Sequence, residues 1–181
     1  MSIRERDSMR GDQQQEMASW LRSLEPVQPK DMIGLWKGVG LPSGHPLDGV
    51  LENLHWFGKR FHADMRADAL LFQRPPGRLV SIDPRYIPIG LAIKAAPLGR
   101  TAVARKLFLH LQQALRAKGT TASITLQIFE QVESAAMIYD KQPIVDHFRL
   151  VRHDELIGMM CVRGDSCRYF FRLRKVNEAG M

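Results

Sequence analysis

Cysteine is nearly absent from this chain: only Cys161 and Cys167 occur in 181 residues. That number excludes a disulfide framework, and with no second ligand pair nearby it argues against a structural zinc site. Long apolar runs are missing too, since none approaches the ~18 residues needed to cross a bilayer. The opening stretch "MSIRERDSMRGDQQQEM" carries charge without a hydrophobic centre and does not read as a signal peptide. A cytoplasmic protein with reduced, buried thiols is the expectation. Several catalytic signatures are also lacking. No Gly-Lys-Ser/Thr ends a phosphate-binding loop, no strand-loop-helix unit surrounds a dinucleotide motif, and no Gly-x-Ser-x-Gly occurs. Ser134 and Ser166 have no recognisable base context, and His45, His55 and His62 belong to no short-spaced ligand cluster. No metal and no cofactor is expected.

The composition itself is that of a globular protein, with 45% hydrophobic and 25% charged residues and enough length for one core. The net charge of +7 comes from 26 Lys+Arg against 19 Asp+Glu, spread without a dense tract. A solvated basic surface explains it without nucleic acid, and no exposed aromatic platform beside Arg168, Arg172, Arg174 and Lys175 supports a nucleic-acid module.

Residues 1–11 read as a mobile tail and 12–181 as a single domain. "DQQQEMASWLRSL" has Met17, Trp20, Leu21 and Leu24 at helical spacing, with Asp12 as N-cap, until Pro26 and Pro29 break it. "GLWKGVGL" reads as a strand. In "HPLDGVLENLHWFG", Leu47, Val50, Leu51, Leu54 and Phe57 share one helical face, and Gly58 suits its end. "ALLF" and "RLVSI" are strands flanking the turn "RPPG". In "TAVARKLFLHLQQALRAKG", Val103, Leu107, Leu111 and Leu115 fall four apart, predicting an amphipathic helix with that stripe in the core and a basic outer face. Residues 90–119 otherwise suggest no role.

From Ser123 to Val176 the period changes to two, which predicts a five-stranded antiparallel meander over about 120–176. One register aligns Cys161 with Cys167, Leu150 with Ile157, Phe148 with Met159, and Tyr139 with Ile144. Ile124, Leu126 and Ile128 then line up with Tyr139, Met137 and Ala135. This gives a dry inner face and a wet face bearing His147, Arg149, Arg168, Arg172 and Arg174. The expected class is mainly β (α+β): an antiparallel barrel or half-barrel with an N-terminal helix and two or three further helices, Trp36 plugging one end.

Asp146 is the anomaly, because alternation places it inside, among Ile144, Phe148 and Leu150. A buried carboxylate needs a partner or must hold its proton. Lys59, ahead of Arg60, is the expected partner from "WFGKRF", with Tyr139 one pair away. Asp146 either locks the barrel as a structural group or anchors a ligand.

"GLWKG", "SGHPLDGVLE", "WFGKRF" and "MIYDKQPIVDHFR" together resemble the bacterial GXWXG-domain family joined to its C-terminal companion domain of unknown function, from about Gly34 to Phe171. On that resemblance the GXWXG part covers about 30–90. His45, Asp48, Trp56, Gly58, Lys59, Phe61, Tyr139, Asp140, Pro143, Ile144, Asp146 and Phe148 are then motif positions. The Gly-x-Trp opening is more distantly similar to lipocalins, fatty-acid-binding proteins and haem-binding nitrobindins, which implies a lipocalin-like barrel holding an apolar ligand.

The expected function is a non-enzymatic carrier or sensor of a small apolar or amphipathic ligand, such as a fatty acid or lipid-like carboxylate. Trp36 and Trp56 would supply walls, Lys59 or Arg60 would meet an anionic head, and Asp146 and Tyr139 would orient it. His45, Met137, Phe148, Met159, Tyr169 and Phe171 complete the candidate binding residues, and a homodimer is left open. The alternative is an isomerase or lyase with Asp146 as general base and Tyr139 as oxyanion donor.

Overall fold

Strand β1 (Gly34–Leu41) pairs with β2 (Trp56–Phe61) on one edge and with β9 (Tyr169–Lys175) on the other. That double pairing closes the sheet. The structure is a computed structural model that describes residues 3–177, with side chains from residue 8 onward. Residues 1 and 2 of the expected tail and residues 178–181 of the expected domain lie outside the described residues.

The ring runs β1, β2, β3 (Arg66–Arg74), β5 (Ala122–Phe129), β6 (Val132–Tyr139), β7 (Ile144–Arg152), β8 (Glu155–Val162) and β9, antiparallel throughout. It is a closed eight-stranded barrel. β4 (Arg78–Ser81) lies outside the ring as a hairpin partner of β3, across the Pro75–Gly77 turn. The meander and its junction to the tryptophan strand are therefore as the alternation predicts, and the barrel is closed rather than half-open.

Glycines in the tryptophan strand answer to tight approach. A Cβ on Gly38 would collide with the indole ring of Trp56, so the missing side chain is the seat of that ring. Gly58 has φ 145° and sits where the β2–β3 register shifts on either side of it. This bulge turns Trp56 and Lys59, three residues apart, toward the same interior. A Cβ at Gly58 would strike the Trp36 carbonyl.

"HPLDGVLENLHWFG" is not one long helix. α2 covers only Val50–Asn53, His55 takes a positive φ, and Trp56 starts a strand. Apolar spacing that suits a helix also suits a short turn followed by a strand buried on both sides, and Gly58 acts as a bulge instead of a stop. Beyond α2, the helices α3 (Ile89–Lys94), α4 (Ala96–Gly99) and α5 (Ala102–Leu111) cap the same end of the barrel. Thr101 caps α5 by accepting from Ala104 N. Among the described residues four α-helices thus follow the first one, against the two or three expected.

α1 (Ile3–Ser23) begins well before Asp12, so most of the expected tail is helical and Asp12 is not its cap. α1 lies outside the barrel, where Leu21 joins Ile157, Met159 and Phe170 in a second core with Met17, Trp20 and Leu24 beside it. Gln14 fixes its course by donating to the Ser43 and Arg168 carbonyls and accepting from Arg168 N. After α1 the chain crosses the far end of the barrel: Leu150 N donates to Glu25 O and Ala135 N to Val27 O.

This covering helix explains a register error of one residue. β8 pairs Met160 with Tyr169, Gly158 with Phe171 and Leu156 with Leu173, while Phe148 faces Gly158 and Leu150 faces Leu156. The inner residues of β8 are Leu156, Gly158, Met160 and Val162, not Ile157, Met159 and Cys161. Cys161 does not face Cys167, and both thiols are half-buried outside the barrel lumen. The supposedly wet face is not wet throughout: His147 and Arg149 are buried, His147 stacked on Phe129 and Arg149 donating to the Phe148 and Phe129 carbonyls. The β6–β7 register is as expected, with Met137 opposite Asp146. On β5, Ile124 pairs with Met137 and Leu126 with Ala135, two residues from expectation, and Leu126 and Ile128 are exposed.

Candidate functional site

β2 and β7 stand on different walls of the barrel, and their inward residues meet inside it. Lys59 Nζ lies 2.9 Å from Asp146 Oδ2, with both side chains almost completely buried. Lys59 also donates to Ala69 O at 3.0 Å and to the Tyr139 hydroxyl at 3.2 Å, and Tyr139 donates to Asp146 Oδ2 at 3.4 Å. The ammonium sits over the Phe171, Tyr139 and Trp56 rings at 5.0, 5.5 and 5.7 Å. All three ammonium protons thus have acceptors, and the aromatic faces supply further attraction. Burial raises the Asp146 carboxyl above its ordinary range, and Lys59 pulls it back. Burial also holds the Tyr139 phenol well above its usual value, reinforced by the neighbouring Asp146 charge. Asp146 Oδ1 has no hydrogen-bond partner within the protein.

Arg60 does not reach this centre: alternation turns it away from the interior that Lys59 and Phe61 share, and it pairs across the ladder with Leu35 and Asp68. Met159 is likewise outside, under α1. Met137, Phe148 and Phe171 are buried in the lumen core with Trp56, and the Phe148 and Phe171 rings contact edge to face at 6.0 Å. Trp36 closes the opposite end, its indole donating to Met32 O at 2.6 Å.

An apolar cavity of about 120 Å³ lies at the end capped by α2–α5. Leu47, Val50, Leu54, Phe72, Phe108 and Met160 are among the apolar residues of its wall. Of the sequence-predicted residues, Tyr139 and Tyr169 line it, and His45 touches Tyr169 edge-on at 5.5 Å. The Lys59–Asp146 pair is not part of the lining. The Tyr169 hydroxyl is buried, lacks a protein partner and lies beside Gly40. Phe72 and Phe108 meet edge-on at 4.8 Å. Sequence reasoning missed Phe108 because the stripe of Val103, Leu107 and Leu111 looked like the core side of its helix. A larger groove, about 450 Å³, runs along the outer wall past His147, Cys161, Arg163 and Arg168. It is open to solvent and far less apolar, so the smaller cavity is the better candidate for an enclosed ligand.

Two buried histidines set an acid limit to stability. Burial lowers His45 to about 4 and His147 to about 4. His147 stacks on Phe129 at 4.2 Å, with Arg149 and Arg168 further opposing its charge. Both folded values lie below the ordinary 6.5, so the unfolded chain binds more protons between those limits. Their stabilising contribution is complete above that value and shrinks as pH falls toward 4. Urea midpoints should therefore drop from neutral to mildly acidic pH, and a His45→Gln/His147→Phe variant should lose most of that slope. A slope that survives the double substitution would contradict this assignment.

Among the described residues no helix is long and apolar enough to cross a membrane, and no group of three or more His, Cys, Asp or Glu is placed to hold a metal. The barrel is a fold compatible with ligand binding. A crystal structure of a protein from Thermomonospora curvata superposes with a TM-score of 0.64 at 26% identity, covering 92% of this chain and 99% of that one. No curated protein matches the chain. Residues 19–77 match the family described as GXWXG protein, and residues 120–175 match the domain of unknown function DUF4334. The chain thus joins, in one barrel, a segment similar to the GXWXG protein family to a segment similar to the domain of unknown function DUF4334.

Proposed function

We propose that this protein binds a small apolar molecule in the cavity at the capped end of the barrel. The observation that carries this reading is a space of about 120 Å³ at the capped end, walled almost wholly by hydrocarbon, with Tyr139 and Tyr169 among the residues that line it. Apolar cavities of this scale, roughly 150 Å³, stay dry and accept benzene-sized guests. Ligand sites for larger molecules run to ~300 Å³ and above, so a fatty acid would enter whole only after the α3–α5 cap moved outward. The cavity presents no free cation to a carboxylate, because Lys59 is committed to Asp146, Tyr139 and the Ala69 carbonyl. An apolar guest therefore suits it better than an anionic head. The isomerase or lyase reading has no observation in its favour, since neither Asp146 nor Lys59 reaches the cavity wall.

Benzene and hexanol are suitable probes. At about ten times its dissociation constant, a bound probe should raise stability by roughly 1.4 kcal/mol and shift the resonances of Phe72 and Phe108. Ala92→Phe, which projects a ring from the cavity wall, should abolish both effects while the fold persists. Stabilisation by the probes that survives in Ala92→Phe would locate binding elsewhere.

A further inference from the structure

The cap over the cavity has an unusual charge pattern. From Pro84 to Phe129 the chain contains seven lysines and arginines and no aspartate or glutamate. In the same stretch α5 turns Phe108 inward onto Phe72 and points Val103, Leu107 and Leu111 outward, with exposures of 75%, 57% and 43%. These three positions fall four apart and form one stripe. Leu91 and Leu98, on α3 and α4, are exposed by 63% and 69%. Lys94 and Lys106 are exposed beside them. The cap thus has two apolar faces, one on the cavity and one against solvent, the second carrying exposed lysines and no acidic residue of its own.

We propose that the α3–α5 cap docks on an anionic lipid surface, with the α5 stripe entering the interface and the lysines meeting phosphate-bearing headgroups. Exposed leucines alone would suit several partners, but the charge selects among them. A second copy of this chain would set two acid-free basic caps against each other, which repel. A negatively charged membrane leaflet answers both the charge and the apolar stripe. Arg100 has an additional task, donating to the Pro46 and Asp48 carbonyls and tying the cap to the loop before α2. The docking surface is also the outer wall of the cavity, since Phe108 and Ala92 line the space from the cap's inner side.

The test is co-sedimentation of the full chain with vesicles of phosphatidylcholine alone and of equal parts phosphatidylcholine and phosphatidylglycerol. Partitioning should be at least about tenfold stronger on the mixed vesicles and should weaken as salt is raised. Leu107→Glu and Lys106→Glu, both at exposed positions, should each lower it by about fivefold or more. Ile128→Glu alters an equally exposed apolar residue at the opposite end of the barrel, and it should leave partitioning unchanged. The cavity-filled Ala92→Phe protein should bind vesicles as the parent does, which separates this inference from the ligand proposal. Three results would overturn it: no preference for the anionic vesicles, an equal loss with Ile128→Glu, or a dimer that Leu107→Glu dissociates without any vesicle binding. The last would assign the stripe to a second copy.

Discussion

Lys59→Met should lose about 3–5 kcal/mol of folding stability, one of the two largest single-site effects expected in this chain. The substitution leaves the Asp146 carboxylate buried, with Oδ1 already lacking a partner and only Tyr139 still bonded to Oδ2. A lone charge in such a place takes up a proton more readily, so the folded pKa of Asp146 should rise further above its unfolded value. The folded state then binds more protons than the unfolded one across that window, and the variant loses stability as pH rises through it. Lys59→Met should accordingly look less damaged at acid pH than at neutral pH. The double variant Lys59→Met/Asp146→Leu should recover most of the loss, because an apolar pair of similar volume has no charge to bury. Denaturant unfolding of the three variants at two pH values checks this. A cost below about 1 kcal/mol for Lys59→Met would mean that water or rearrangement satisfies Asp146.

Trp36→Ala should cost a comparable ~3–5 kcal/mol, for a different reason. The indole is almost completely buried at the end of the barrel where the chain between α1 and β1 crosses. Removing it opens a hole and strands the Met32 carbonyl that the indole nitrogen serves at 2.6 Å. Trp36→Phe keeps most of the volume and loses the hydrogen bond, so its cost should fall near 1–2 kcal/mol. Equal losses for the two variants in thermal unfolding would show that the bond, rather than the volume, holds this end.

Strand existence was legible throughout the meander, and register was legible only at the β6–β7 ladder. There alternation placed Met137 correctly against Asp146. β8 was not, because "ELIGMMCV" is apolar on both faces and a strand covered by a helix has no alternation to read. The slip of one residue began there and carried Cys161 and Met159 to the wrong side. Asp146 was legible as an anomaly because a carboxylate amid core residues needs a partner under any register that keeps it inside. The cavity was not, because Phe108 and Ala92 come from short helices in a proline-punctuated stretch whose packing no local period encodes. α5 misled for a physical reason as well: its more regular apolar stripe faces solvent, and the core takes the single Phe108.

The ring of strands has one short joint. β3 and β5 share only the pairs Arg66–Ser123 and Ala67–Ala122, extended by Thr121 N to Ala67 O and Ile124 N to Met65 O. Every other ladder in the ring is longer. Resistance to opening is not shared evenly around such a cylinder, and the least-bonded joint yields first. Ala122 in turn pairs with Tyr139, which lines the cavity, so this joint runs beside the enclosed space. Loosening a handful of amides there widens the barrel like a clasp, while the long ladders on the far side hold their register. For the guest proposed above, such a joint would be a route through the wall that needs no global unfolding.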